Sequence, residues 1–146
     1  MQRILVHCTA TKEDLIPKYQ SEYASGADLR AYISQPVSIS PLQRCLIPTG
    51  LAFQIPEGYE AQVRPRSGLA YKAGLTVLNS PGTIDSDYRG EVQIILINLG
   101  NEAITIQPGE RIAQIVFTPV VHAQFLHTDS LAGSDRGEQG FGSTGT

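Results

Sequence analysis

Three acidic residues in turn-rich surroundings are the first candidates for chemistry. Asp28 lies in Gly26-Ala27-Asp28-Leu29-Arg30-Ala31, and Asp85 and Asp87 lie in Thr83-Ile84-Asp85-Ser86-Asp87-Tyr88-Arg89-Gly90-Glu91. A carboxylate can take a proton from water, and its oxygens suit a hard cation. Taken singly, each Asp is more often a turn former or a solvated charge. His7, His122 and His127 show no metal-ligand spacing, and Cys8 and Cys45 form no CxxC pair. Oxygen ligands therefore fit better than a zinc cluster, and the two thiols read as reduced residues in or near the core.

Anion-binding segments come next. Arg66-Ser67-Gly68 sets a guanidinium, a hydroxyl and a flexible backbone at a helix start, where unpaired N–H groups favour phosphate. In isolation the simpler reading is preferred, with Ser67 capping a surface helix. No GxSxG elbow surrounds Ser67, which argues against a nucleophile. A second such segment is Ser134 to Thr146, with four Gly, Arg136, Phe141 and Gly142-Ser143-Thr144-Gly145. It is not a Walker A loop, because Gly-Lys-Ser/Thr is missing. Alone it cannot offset an ordering cost of ~1–2 kcal/mol per residue. It is either a floppy terminus or a tail that closes over an anion. Leu78 to Thr83 is a turn-rich stretch between strand-like runs; as a β-hairpin it can offer backbone N–H and C=O groups to a pyrimidine edge, and as an ordinary tight loop it does nothing more.

The elements that must hold these residues are short strands. Nine Pro and fourteen Gly punctuate the chain, and long helical periodicity is missing. Arg44 to Ile55 reads as strands around the Pro48-Thr49-Gly50 break, and Tyr59 to Val63 alternates into another. Val92 to Leu99 is an almost unbroken apolar run, as expected for a strand covered on both faces. Ala103–Gln107 and Arg111–Phe117 flank Pro108-Gly109 and read as a hairpin. Ser67 to Gly74 carries helix formers with Gly at the stop. Met1 to Glu22 signals only strand and loop. The expectation is an all-β, jelly-roll-like barrel or sandwich over residues 1–133, with one short helix after Arg66 and a flexible Gly-rich tail over 134–146.

Bulk properties bound the rest. The 146 residues suffice for one domain. With 41% hydrophobic and 17% charged residues, a packed core is expected rather than disorder. A net charge of -3 argues against non-specific nucleic-acid or membrane binding. Eight Arg against three Lys hints weakly at phosphate or carboxylate recognition. No signal-like or membrane-length apolar run is found, so a soluble, intracellular, cytoplasmic protein is expected.

In order, these segments resemble the five signature motifs of the trimeric dUTPase family. Gly26 to Ala31 resembles the first, Pro65 to Ala70 the second and Gly82 to Glu91 the third. Arg111-Ile112-Ala113-Gln114 resembles the fourth; Arg136-Gly137, Gly140-Phe141-Gly142 and Ser143-Thr144-Gly145 resemble the fifth. One motif would be weak, but five in order over Gly26 to Gly145 are specific. The resemblance implies hydrolysis of dUTP to dUMP and pyrophosphate with Mg2+, limiting uracil in DNA and supplying dUMP for dTTP synthesis. It implies a homotrimer with shared sites, each completed by a neighbour's tail, and no nucleic-acid or membrane partner.

Position by position, the resemblance makes Asp85 the general base and a partner of the sugar 3'-hydroxyl. Asp28 would hold the hydration shell of magnesium. Arg66, Ser67, Gly68 and Gln114 would hold the phosphate chain. Asn79 with Gly82, Thr83 and Ile84 would read uracil, and Tyr88 would pack under the deoxyribose. Phe141 with Gly142 would cover uracil when the tail closes, and Arg136, Ser143 and Thr144 would grip the γ-phosphate. Arg30, Arg64 and Arg89 are left open between pairing with a carboxylate inside the trimer and reaching the substrate. The nearest alternatives are a dCTP deaminase on a similar fold, which would release ammonia, and a nucleotide- or protein-binding trimer without turnover. A general nucleoside triphosphate hydrolase ranks last, having no need of Asn79, Tyr88 and Phe141 in these settings.

Overall fold

Alternation of buried and exposed side chains organises the chain into eleven short strands among the described residues, 1–145, of this computed structural model. Thr146, the last residue of the expected tail, lies outside them. Four strands form the sheet that carries the candidate residues: β2 (Ala27–Arg30), β6 (Tyr59–Arg64), β8 (Gly82–Ile84) and β11 (Arg111–Pro119), ordered β2-β11-β6-β8 and antiparallel. A three-stranded sheet is ordered β4 (Arg44–Pro48), β9 (Gln93–Asn98), β7 (Leu75–Val77). Two ribbons complete the set, β1 (His7–Ala10) with β5 (Leu51–Gln54), and β3 (Val37–Ile39) with β10 (Ile104–Ile106). Inward-facing Leu29, Ile47, Leu51, Ile94, Leu96, Ile106 and Ile115 fill the space between them. Their burial is the main stabilising term. The all-β expectation and its single short helix agree with this architecture.

Two buried polar side chains tie the sheets without leaving an unpaired group. Asn98 donates to the carbonyls of Ile39 and Glu102 and accepts from Gly100 N–H. Thr49 donates to the Val92 carbonyl and accepts from Leu51 N–H. Cys8 and Cys45 are free and half-buried. Burial pushes the Cys8 thiol above its ordinary value, which keeps it neutral and slow to react.

Three local expectations are corrected. The Pro108-Gly109 turn forms, but its flanking strands are not a paired hairpin. β10 pairs with β3, while β11 pairs with β2 and β6. Likewise β7 pairs with β9 and β8 with β6, so the Leu78–Thr83 stretch crosses between two sheets. Short connections suggested hairpins, yet consecutive strands go to different sheets, and each sheet turns its apolar side chains to the shared core. In the run containing β9, Ile94, Leu96 and Asn98 are buried and the alternate Ile95 and Ile97 are half-buried within the single chain. Finally, Arg66, not Ser67, is the N-cap of the helix α1 (Ser67–Ala73), and it makes no side-chain cap bond. Gly74 ends the helix in the left-handed region at φ 72°, as its missing Cβ allows.

Candidate functional site

The β2-β11-β6-β8 sheet has one apolar and one polar face. Ala27, Leu29, Ala61, Val63, Ile84 and Ile115 point into the core. Paired residues share a face, so Asp28 stands beside Gln114, and Gln114 beside Arg64 on its other side. Arg111 and Gln114 are three residues apart, a spacing that places side chains on opposite faces of a regular strand. A bulge between Arg111 and Ala113 changes this. Ile112 and Ala113 are both buried, and Arg111 returns to the polar face beside Arg30. Bulges commonly re-aim side chains in this way.

The result is a cluster around one carboxylate. Asp28, whose side chain is 12% exposed, faces Arg66 Nε at 3.4 Å and Arg111 Nη1 at 3.3 Å. Arg66 Nη1 also donates to the Arg111 carbonyl at 3.2 Å. Gln114 Nε2 donates to the Pro65 carbonyl at 2.9 Å, tying β11 to the segment that opens α1. Gly26 makes room for this amide: a Cβ there would meet Gln114 Cδ at 2.9 Å. Ser67 follows Arg66 directly, exposed and free of any capping bond. Gly68 is open on all sides. Two guanidiniums against one carboxylate leave this corner cationic, with a hydroxyl and unpaired helix N–H groups beside it. Such a corner suits an oxyanion chain.

A second group of candidates lies elsewhere on the same sheet. An open cleft of about 440 Å³ is lined by Thr83, Ile84, Asp85, Tyr88, Glu91 and Val92. Asp85 is exposed, and its carbonyl closes a turn by accepting from Tyr88 N–H. The Tyr88 hydroxyl donates to the Glu91 carbonyl at 2.9 Å. Its ring lies across Gly90, where a Cβ would meet Cζ at 2.6 Å, so the ring is held as a fixed wall. Asn79 is exposed, packs against Gly82 and does not line this cleft.

The two groups are far apart within one chain. Ile84 pairs with Ala61, which sets Asp85 level with Glu60, while Arg66 follows the other end of β6. From position 60 to position 66, at about 3.3 Å per residue, the separation is about 20 Å. No single side chain bridges that length.

The tail residues join neither group. Every residue from Pro119 to Gly145 is exposed. Arg136 Nε donates to the Gln139 carbonyl, and the other hydrogen bonds of this stretch beyond Val120 are local turns. Phe141 is fully exposed. Within the single chain, Arg30 donates to the Gly109 carbonyl, Arg64 to Gln62 Oε1, and Arg89 to the Ser86 and Tyr88 carbonyls. Arg111 and Gly26 join the candidate cluster, although sequence reasoning placed them in the first and fourth motif segments without giving either a role. The available signal was the bulge-length spacing from Arg111 to Gln114, which alternation alone cannot reveal.

An all-β fold with a cationic oxyanion corner and a separate carboxylate–phenol cleft defines a jelly-roll-like protein equipped to hold a phosphorylated ligand. The dUTPase family model matches residues 12–145. The chain is 60% identical over 130 residues to the deoxyuridine 5'-triphosphate nucleotidohydrolase of Cytophaga hutchinsonii, covering 89% of this chain and 84% of that protein. It is 50% identical over 145 residues to that of Fusobacterium nucleatum, covering 99% of each. Among solved structures, the dUTPase of Staphylococcus bacteriophage 80alpha with dUpNHpp superposes at a TM-score of 0.83 with 26% identity, covering 97% of this chain and 99% of that one. The chain belongs to the dUTPase family, and is an enzyme of the deoxyuridine triphosphate nucleotidohydrolase type.

Proposed function

We propose that this chain hydrolyses dUTP to dUMP and pyrophosphate in sites shared between copies of itself. The observation that carries the shared site is the separation of about 20 Å along β6 between Asp85 and the Asp28–Arg66–Gln114 corner. A general base must reach the water that attacks the phosphate it serves. Asp85 of one copy meeting the oxyanion corner of another satisfies that requirement. The outer face of the β4-β9-β7 sheet supports assembly: Leu46 is 57% exposed, and Ile95 opposite it is half-buried. A homotrimer accounts for both features.

In this reading Asp85 removes a proton from water, the oxygen attacks the α-phosphorus, and the α–β bridging oxygen leaves with pyrophosphate. Arg66, Ser67, Gly68 and Gln114 hold the phosphates for in-line attack. Asn79, Gly82, Thr83 and Ile84 offer backbone and amide groups to uracil, leaving no room for a thymine methyl. Tyr88, fixed over Gly90, walls the sugar and excludes a ribose 2'-hydroxyl by clash. The exposed tail closes on the bound triphosphate, with Phe141 and Gly142 over the base and Arg136, Ser143 and Thr144 at the γ-phosphate, excluding water.

The residues fit Mg2+ as a partly hydrated ion and not as a caged one. No group of three or more His, Cys, Asp or Glu among the described residues is arranged to hold a metal. Magnesium typically binds through one or two carboxylates plus substrate phosphates and keeps several waters. Asp28 is the carboxylate at the oxyanion corner and would hold that hydration shell. When bound, the ion neutralises phosphate charge and favours departure of pyrophosphate. The product dUMP supplies dTTP synthesis, and removal of dUTP limits uracil in DNA. Among the described residues no helix is long and apolar enough to cross a membrane; the substrate is a small molecule, and neither nucleic acid nor membrane enters the reaction.

The test is release of pyrophosphate and ammonia from dUTP, dCTP, dTTP and UTP with Mg2+. Pyrophosphate from dUTP alone supports the reading and the pocket logic. Ammonia from dCTP points to a deaminase, equal rates on UTP remove the role of Tyr88, and no turnover of any substrate refutes it.

A further inference from the structure

Arg111 has no place in the proposed chemistry, yet the bulge in β11 turns it to the polar face and sets it 3.3 Å from Asp28. The Asp28 side chain is 12% exposed, and a carboxylate so far withdrawn from water needs a cationic partner. It has two, but they are not equivalent. Arg66 stands at the start of α1 beside Ser67, where its guanidinium is required by the phosphate chain. Arg111 is anchored to the same corner by its backbone, since its carbonyl accepts from Arg66 Nη1 at 3.2 Å.

We infer that Arg111 is a positioning residue that holds Asp28 so that Arg66 is released to the phosphate chain. This rests on the dUTP-hydrolysing reading. With both guanidiniums present, Arg66 can turn to the phosphates while Asp28 keeps a charged partner. Without Arg111, Asp28 holds Arg66 as its only cation and competes with the ligand for it. The consequence is selective: the polyphosphate grip weakens, while contacts to base and sugar do not, because they fall to Asn79, Gly82 to Ile84 and Tyr88, none of which pairs with Asp28, Arg66 or Arg111.

The experiment measures calorimetric affinity of the intact protein for α,β-imido-dUTP and for dUMP, in EDTA so that no metal contributes. Arg111→Gln weakens the imido-triphosphate about 10- to 100-fold, the weight of one charge-assisted hydrogen bond, and changes dUMP less than about threefold. Arg111→Lys, which keeps the charge, recovers most of the loss. Adding Asp28→Asn to Arg111→Gln removes the competitor and restores affinity to that of Asp28→Asn alone, a non-additivity that a merely structural role does not produce. In steady state with Mg2+, Arg111→Gln raises KM with kcat little changed. Unchanged imido-dUTP affinity in Arg111→Gln, an equal loss for dUMP, or failure of Asp28→Asn to restore binding overturns the inference. If Arg111→Gln does not fold, failure of Arg111→Lys to retain near-normal imido-dUTP affinity does the same. Failure of the wild-type protein to bind imido-dUTP overturns the functional reading instead.

Discussion

Replacing Gly26 by Ala tests how tightly the oxyanion corner is built. The added Cβ would stand 2.9 Å from Gln114 Cδ and 3.2 Å from Gln114 Cβ, and closer still to the amide oxygen. Gln114 cannot simply retreat, because its Nε2 is bonded to the Pro65 carbonyl at 2.9 Å and its strand lies between β2 and β6. Either the amide stays and strain accumulates, at about 1–3 kcal/mol for overpacking, or it swings out and the bond is lost, at about 0.5–1.5 kcal/mol plus an unpaired carbonyl. Both routes converge on a loss of about 1–3 kcal/mol. For a chain of this size that lowers Tm by about 4–12 °C. Scanning calorimetry reads the shift, and steady-state hydrolysis of dUTP reads a raised KM, because a strained or displaced Gln114 holds the phosphates less well. Gln114→Ala supplies the control: on that background only the 3.2 Å approach to Cβ remains, so Gly26→Ala destabilises far less than in the wild-type chain. A melting temperature within about 1 °C of wild type, or strictly additive effects in the double variant, refutes the packing argument.

Three further outcomes are expected. Asp85→Asn lowers kcat by about 10²-fold or more while imido-dUTP affinity stays within a few-fold; near-normal turnover would remove Asp85 as the base. Ending the chain before Ser134 leaves the proposed oligomer intact by sedimentation, since the removed side chains are not packed into the core of their own chain, but cripples hydrolysis; an active truncated enzyme dismisses the tail as a lid. Asn98→Leu strands the carbonyls of Ile39 and Glu102 and the N–H of Gly100, and should destabilise by about 3 kcal/mol or more in urea unfolding. A loss under about 1 kcal/mol would show that water or rearrangement replaces those bonds.

Side-chain type and order made much of this molecule legible before any coordinates. Turn residues bounded β4, β5 and β6 to within about one residue, and Gly74 marked the end of α1. Strand partners were not legible, because alternation sets which face a residue occupies but not which strand lies beside it. Hence the strands flanking Pro108-Gly109 resembled a hairpin although they diverge into two sheets. The candidate residues were nameable from motif order, but their division into two distant groups depends on the β6–β8 register. Arg111 escaped for a related reason: a bulge reverses the facing that a regular strand would give.

The central claim, that dUTP is hydrolysed in a site built by more than one copy, is tested most directly by mixing two inactive variants. Asp85→Asn and Arg66→Gln chains are unfolded together, refolded in equal amounts, and assayed for pyrophosphate release from dUTP. If Asp85 comes from one copy and Arg66 from another, random assortment leaves about one quarter of the sites with both wild-type groups. Activity near a quarter of wild type is the predicted result, with each variant refolded alone remaining inactive. A mixture no more active than the separate variants, although hybrid oligomers have formed, contradicts the account.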